Sequence, residues 1–446
     1  MHTRSRLLQL SALALGVAGA LAIAPAAHAS GFQLKENSVK AMGRAFAGSA
    51  TAQGDAAVVV NNPAAMSRFE QRTVQADVTA VDVSAEFTGS GTSAFGTPLN
   101  GGDGGDAGEL AAVPAMSAIF PIGDTGLTVG AMVSAPFGLK TEYERDWIGR
   151  YHAVESDLRI VDLTLSASLA VTDRFSVGIG LIYEHAEATL SNAIDFGSSL
   201  AAAQVPGFAP QSADGFAEVT GDDTGIGWLF GVHWQPTDQL SIGYSHRSEI
   251  DQDLAGTVDY TVPGNAAAVL TATGQIGAFS DQPGFAPLTT PTIDTLSVAY
   301  AFNDRFSLMA DVSRTGWESL RDVTIFRANG AVISNEPFDW VNTTFYSVGG
   351  EFRLSDALTL RAGIARDETP TNDAERTPRL PDADRNWLSV GLTWNASDAL
   401  EVNGGYTYIR VDDPTINGVR SSSGSRLTGT YDSNVNLFGV SAQYRF

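Results

Sequence analysis

Two arginines and a few lysines are the side chains of this sequence best suited to binding an anion. Lysine occurs only at Lys35, Lys40 and Lys140, so a cationic site in the rest of the chain would depend on arginine. Arg247 and Arg361 each occupy the polar side of a segment in which apolar and polar residues alternate, as Arg361 does in "LTLRAGIA". An inward arginine could bind a substrate carboxylate through paired hydrogen bonds. We favour the simpler alternative, in which each arginine pairs with an acid of the same wall, such as Glu249, Glu351 or Glu401.

The residue types and motifs of the sequence give little support for catalysis. The chain has no cysteine, and none of its histidines beyond residue 30 (His152, His185, His233 and His246) lies in a recognisable nucleophile motif. The acidic loop "DGGD" (Asp103–Asp106) could bind calcium, but a solvated acidic loop is the simpler interpretation. We therefore expect no enzyme, no metal and no cofactor.

The elements that must position these residues are strands. "VDLTLSASLAV" (Val161–Val171) alternates between apolar and polar residues throughout, and at least nine further segments repeat the pattern. Short connections with an aspartate, such as "VTDRF", "FNDRF" and "LSDAL", join successive segments at one end. Long polar loops lie between them at the other end, which is the layout of an outer-membrane barrel.

Counting these segments predicts an all-β fold, a 14-stranded antiparallel transmembrane β-barrel over residues 72–446. The number is even, as a closed antiparallel barrel requires, and no stretch after Ser30 has eighteen apolar residues, which excludes helical spans. The phase of the first strand changes near Ala80–Val81 and suggests a bulge. A soluble β-sandwich also alternates, but it explains neither the asymmetry of the turns nor the terminal Phe446.

The first residues indicate where the protein goes. Arg4 and Arg6, an apolar run and the "AHA" site predict a secretory signal peptide over residues 1–29. The formal charge of −23 argues against binding nucleic acid. We expect an integral, monomeric protein of the bacterial outer membrane, in contact with its lipid.

Two parts of the chain outside the predicted strands, the long loops and the segment before the first strand, are unusually apolar. Long loops over about 191–219 and 261–285 contain Phe208 and Phe279, and they could form an apolar landing surface or pack on each other as a lid. Residues 30–71 are rich in alanine and glycine and too apolar for a disordered tail. A barrel this wide needs water or a plug in its lumen, so we expect this segment to be a plug.

The same segment resembles a known family. "SGFQLKENSVKAMGRAFAGSA", followed by "AQGDAAVVVNNPAAM", is similar to the mature N-terminus of the FadL/TodX family of outer-membrane transporters of hydrophobic compounds. "PFGLKTEY", "YSHRSEI", "GIARDETP" and "RLPDADRNWLSVG" extend the resemblance along the whole mature chain.

The resemblance implies a fourteen-stranded barrel with residues 30–71 as a hatch in the lumen. Substrate would be captured at the loops, bind near Phe32 and Leu34, and leave through a lateral gap beside an inward kink of the third strand. The substrate would be a long-chain fatty acid, or alternatively a monoaromatic hydrocarbon; a general porin and a lipolytic enzyme are the rival classes.

Two further expectations concern this gap. Gly126 and Gly130 would permit the kink of the third strand, which Pro136 closes. The Asn62-Pro63-Ala64 triplet would meet the wall there, with Asn62 satisfying the unpaired backbone groups.

Overall fold

The computed structural model describes residues 31–446. The predicted signal peptide, residues 1–29, lies outside this range, so its cleavage stays a prediction. Within the described range, none of the helices has the length and hydropathy that spanning a membrane requires.

Between residues 31 and 446 the chain forms nineteen strands. They are β1 (Thr73–Thr92), β2 (Leu110–Pro121), β3 (Leu127–Glu142), β4 (Glu155–Thr172), β5 (Phe175–Asp195), β6 (Asp214–Trp234), β7 (Leu240–Arg247), β8 (Ile250–Thr261), β9 (Gln282–Thr290), β10 (Ile293–Asn303), β11 (Phe306–Thr315), β12 (Asp322–Arg327), β13 (Val332–Pro337), β14 (Thr343–Arg353), β15 (Leu358–Asp367), β16 (Arg385–Asn395), β17 (Leu400–Val411), β18 (Thr415–Arg420) and β19 (Arg426–Arg445). All belong to one antiparallel sheet, which closes because β1 pairs with both β2 and β19.

The closed sheet is a fourteen-stranded barrel. Five of its passages consist of two strands in succession, namely β7–β8, β9–β10, β11–β12, β13–β14 and β17–β18, which leaves fourteen passages in the described chain and confirms the predicted fold. Turns such as residues 173–174 are short at the end where β1 begins and β19 ends. Loops such as residues 196–213 and 368–384 are long at the opposite end.

The alternation in sequence corresponds to two different surroundings. In β4, Leu163 and Leu165 are 42% and 52% exposed on the outside of the barrel, whereas Asp162, Thr164 and Ser166 are buried on the inside. A continuous face of exposed apolar residues indicates contact with lipid, and buried hydroxyls and carboxylates need partners in the lumen. Strand after strand, this pattern produces an apolar outer band.

The predicted bulge in β1 is wrong. Its register with β19 is continuous from Thr73 to Thr92, and alternate residues from Thr73 to Phe87 face inward throughout. The hydrophobic phase changes because the surroundings change. At the short-turn end the inward residues, such as Asp77, are polar and meet the N-terminal segment, whereas farther along Val81 and Val83 face an apolar interior.

Residues 31–72 precede the barrel and contain three short helices: α1 (Val39–Met42), α2 (Val58–Asn61) and a 3-10 helix (Pro63–Arg68). The loops at the long-loop end hold α3 (Phe196–Ala202) and α4 (Gly264–Ala272), with 3-10 turns at Ile276–Phe279 and Trp317–Ser319. The sequence "VVVN" is therefore helical, Asn62 after it is extended, and Val58 and Val59 are buried.

The N-terminal segment lies inside the barrel and binds strands on several sides of it. Lys40 Nζ is 2.7 Å from Glu401 Oε1 of β17, and Arg44 Nη1 is 3.0 Å from Glu351 Oε1 of β14. On β16 the wall approaches so closely that a Cβ added to Gly391 would lie 2.7 Å from Gly43 Cα. The segment thus fills the lumen at backbone contact distance.

Candidate functional site

The third strand separates from β2 about half-way along its length but stays paired with β4. β3 pairs with β2 only from Thr128 to Val133, although β2 continues to pair with β1 as far as Leu110. Between Ser134 and Phe137, β3 advances three residues while β4 advances two, so β3 carries one extra residue there, beside Pro136. A gap between β2 and β3 follows.

This position corrects the prediction for the two glycines. Gly126 lies in the turn before β3 with φ of 73°, and Gly130 lies in the part of β3 that still pairs regularly. A Cβ on Gly130 would lie 2.6 Å from Met66 Sδ and 2.8 Å from Val59 Cγ2, so glycine is needed there for packing against the N-terminal segment. The kink itself comes from the extra residue at Ser134–Phe137.

The backbone groups freed by the kink are satisfied by the start of the described chain. The Leu34 amide donates to the Pro136 carbonyl at 2.7 Å, and the Gly138 amide donates to the Phe32 carbonyl at 2.8 Å. Gln33 and Phe137 form an antiparallel bridge between these two bonds. Residues 32–34 therefore replace β2 along this edge of β3, a role that no periodic pattern in these residues indicates.

Asn62 does not reach the third strand, and that expectation is wrong. Its Nδ2 donates to the carbonyls of Ala50 at 2.7 Å and of Val232 in β6 at 3.0 Å, and its Oδ1 caps the 3-10 helix by accepting from the Ala64 amide. Pro63 and Ala64 pack beside Gly178 of β5. The triplet anchors the N-terminal segment to the wall on the β5–β6 side.

An apolar pocket lies on the long-loop side of residues 32–34. It contains about 910 Å³ of space, its open mouth included. The Phe32 ring closes one end and packs against Trp317 and Trp340, with ring centres 4.7 and 5.7 Å away. Its walls are mostly aliphatic and aromatic, with Leu158, Leu254, Leu288, Leu320 and Ile325 among them.

A second, polar pocket lies on the other side of residues 32–34. It encloses about 760 Å³ and is bordered by Leu34, Lys35, Arg247 and the kink residues Ser134 and Pro136. Leu34 thus faces this polar pocket, while Phe32 faces the apolar one. Burial lowers the pKa of the Lys35 ammonium, whose Nζ lies 4.2 Å from the centre of the Phe345 ring.

Both predicted arginines are paired with acids of the wall, as the structural alternative stated. Arg247 donates to Asp162 and to Glu184, each at 2.6 Å, and neither acid is among the examples named from the sequence. Arg361 donates to Glu351 at 2.7 Å and borders neither of the two pockets. A charged pair inside the barrel needs this mutual compensation because each ion has lost its water.

The two apolar loops pack against each other. Phe196 and Leu200 of α3 are buried against Ala266 and Leu270 of α4, and Phe279 crosses the Phe196 ring edge-on at 4.8 Å. Phe208 and Phe279 remain half-buried at the edge of this cluster. The lid arrangement is therefore present, with apolar side chains left at its surface.

Of the four histidines beyond residue 30, His185 is exposed on β5, and the other three are bound to structural partners or buried. His233 Nε2 lies 2.7 Å from Ser241 Oγ, and His246 Nδ1 lies 2.9 Å from Asp294 Oδ1. Burial lowers the pKa of His152, in the loop before β4, to about 3, far below the value that suits a general base near neutral pH. Within residues 31–446, no group of three or more metal-binding side chains could hold an ion.

Comparison with known proteins identifies the family. Over residues 20–446 the chain matches the family described as "Outer membrane protein transport protein (OMPP1/FadL/TodX)". The "47 kDa outer membrane protein" of Pasteurella multocida is 29% identical over 96% of this chain and 97% of the relative. The "Long-chain fatty acid transport protein" of Escherichia coli K12 is 27% identical over 91% and 93%.

Solved structures agree with this match. The crystal structure of a Pseudomonas aeruginosa FadL homologue superimposes with a TM-score of 0.88 at 29% identity, covering 93% of this chain and 100% of that one. The Pseudomonas putida toluene transporter TodX superimposes with a TM-score of 0.67 at 17% identity, over 94% and 100%, which shows a likeness of fold. The chain therefore belongs to the OMPP1/FadL/TodX family, whose members are transporters of hydrophobic compounds rather than enzymes, and it is an integral protein of the outer membrane.

Proposed function

We propose that this protein carries long-chain fatty acids passively into the cell envelope. The acid is captured on the apolar surface of the α3 and α4 loops and enters the apolar pocket against Phe32. It then leaves sideways through the gap between β2 and β3. We further propose that residues 30–71 act as the hatch that keeps this path closed, that the protein works as a monomer in the outer-membrane lipid, and that it has no catalytic activity.

The apolar pocket is the observation that carries this proposal. Among its lining residues only Glu336 and Arg379 are charged, and they pair with each other at 2.9 Å. A pocket with this lining favours an extended hydrocarbon chain, because burial of each methylene contributes about 0.8 kcal/mol. The fatty acid transport proteins among the relatives, such as that of Escherichia coli K12, support the same substrate class.

The lateral path is supported by the arrangement at the kink. Residues 32–34 occupy the edge of β3 next to the kink, and they contact both pockets at once. Withdrawal of this short segment would join the two pockets beside the gap. The polar lining of the second pocket, including Lys35, would then accommodate a carboxylate on its way out.

A monoaromatic hydrocarbon is the second candidate substrate. The rings of Phe32, Phe137, Trp317 and Trp340 form a continuous cluster at the end of the apolar pocket, with neighbouring centres 4.7 to 6.0 Å apart. Such a cluster would bind a small aromatic molecule well. The pocket extends far beyond these rings, however, which favours the longer acid.

Uptake by cells tests the proposed function. A strain without its own fatty acid transporter, expressing the full chain, is expected to take up radiolabelled oleate faster than the vector control. Purified protein in a planar bilayer is expected to show no steady large conductance. Uptake of toluene without oleate would favour the aromatic substrate, and steady conductance without uptake of either would favour a porin.

A further inference from the structure

An ion pair stands at the boundary between the apolar pocket and the outer loops. Arg379 lies in the loop between β15 and β16, and its Nε donates to Glu336 Oε2 of β13 at 2.9 Å. Both residues also border a polar cavity on the far side, which encloses about 1170 Å³ with its open mouth. The pair therefore separates a polar compartment from an apolar one.

Arg379 is fixed in place independently of Glu336. Its two terminal nitrogens donate to groups in the adjacent end segments of β4 and β5, at 3.2 to 3.4 Å. These acceptors are the carbonyls of Glu155 and Ser191, the Ser156 hydroxyl and the Asn192 amide oxygen. The acceptors are neutral, so Glu336 supplies the only negative charge in direct contact with the guanidinium among residues 31–446.

Glu336 is held less firmly than Arg379. It belongs to the β12–β13 hairpin, whose pairing with the neighbouring strand β9 comprises only Phe326 with Phe285 and Arg327 with Gly284. Its side chain is 29% exposed, compared with 9% for Arg379. Of the two partners, the glutamate is the one that can move away.

We propose that Arg379 recognises the carboxylate of the transported acid, and that Glu336 is a resting counter-ion which the substrate replaces. This inference rests on the proposed function. A buried guanidinium without a counter-charge would be strongly destabilised, whereas exchange of one carboxylate for another conserves charge and hydrogen bonds. The substrate carboxylate takes the place of Glu336 at the mouth, and its hydrocarbon chain extends towards Phe32. The substrate class is accordingly long-chain monocarboxylic acids, in preference to alcohols or hydrocarbons of the same length.

Equilibrium binding of two matched probes tests this assignment. The full chain in lipid nanodiscs is titrated with oleate and with oleyl alcohol, and the signal is the tryptophan fluorescence to which Trp340 of the pocket contributes. Loss of a charge-assisted hydrogen bond is worth about tenfold or more in affinity. Arg379→Met is therefore expected to lower the affinity for oleate by at least about that factor and to leave the affinity for oleyl alcohol unchanged.

Glu336→Gln provides the complementary result. It removes the competing carboxylate and keeps every other contact of Arg379, so oleate should bind more tightly while oleyl alcohol is unaffected. Arg366→Met is the matched control, because Arg366 is paired with Asp384 and Asp412 at the same end of the barrel but does not border the pocket. Its affinities should equal those of the unmodified chain.

The outcomes separate the inference from the proposed function. Equal changes for both probes, or none, in the Arg379 and Glu336 variants would overturn the role of Arg379 while leaving fatty acid uptake standing. Should Arg379→Met fail to assemble, Glu336→Gln decides by itself. Failure of the unmodified chain to bind oleate at all would refute the proposed function, and the inference with it.

Discussion

A disulfide that fixes residues 32–34 to the kink should stop transport. Gln33 and Phe137 face each other between two backbone hydrogen bonds that both lie outside the pair, so they form a non-hydrogen-bonded antiparallel pair. The Cα atoms of such pairs are about 4.5 Å apart, within the range for a disulfide. The chain has no cysteine of its own, so Gln33→Cys with Phe137→Cys can form one bridge only.

The size of the effect on uptake follows from the contacts that break when residues 32–34 move away from β3 and open the path. Two backbone hydrogen bonds contribute about 0.5–1.5 kcal/mol each, and exposure of the Phe32 side chain costs about 1.5–3 kcal/mol. Opening thus requires about 2.5–6 kcal/mol, which corresponds to an open fraction of roughly 10⁻² to 10⁻⁴ at rest. The bridge removes this fraction altogether, so oleate uptake by the oxidised variant should fall to the vector background.

The assay compares the same cells before and after reduction. Treatment with a thiol reductant should restore uptake, and the two single cysteine variants should transport in both states. The extent of bridging is measured by the shift of the purified protein on a non-reducing gel. Full transport by a completely bridged protein would refute the reasoning, because the segment could not then have moved.

Three further predictions use side chains described above. Phe32→Ala should weaken binding of oleate, since the pocket loses its aromatic end, and a fluorescence titration in nanodiscs would contradict this if the affinity were unchanged. Gly391→Val should displace the N-terminal segment and raise ion conductance in planar bilayers. Gly404→Val should not, because no atom lies within 4 Å of the added Cβ. Equal conductance of the two variants would count against the close packing at Gly391. Arg247→Met should destabilise the barrel by about 3–5 kcal/mol because two buried carboxylates lose their partner. Arg174→Met, at an exposed ion pair, should cost less than about 1 kcal/mol. Urea unfolding in detergent measures both free energies, and similar midpoints for the two variants would refute the difference.

The wall of the barrel could be predicted from sequence because its two surroundings differ sharply. Lipid outside and a polar lumen inside impose a period of two, and β4 follows it from Val161 to Leu169. The same reasoning failed in β1 at Ala80–Val81, where the strand continues beyond the apolar band and the surroundings exchange character. A change of surroundings along a strand and a β-bulge both shift the phase of the apolar alternation, so the sequence alone does not distinguish them.

The site was less accessible to prediction because it depends on contacts between distant parts of the chain. The kink arises from one extra residue at Ser134–Phe137, and no local pattern distinguishes such a bulge from a regular strand. Asn62 has the chemistry to satisfy free backbone groups, but which strand it meets is set by how α2 and the 3-10 helix dock. Arg379 lies in a loop without periodicity, so its position at the pocket mouth became visible only in the structure.

The pairing of β1 with β19 has a consequence for the order in which the molecule is assembled. Their register runs unbroken from Thr73–Arg445 to Thr92–Arg426 and joins the first strand of the wall to the last. The segment that fills the lumen is attached directly to β1, and it binds β6, β11, β14 and β17 from within. We expect it to enter the curved sheet as this seam closes, which would make assembly of the wall and enclosure of its contents a single event.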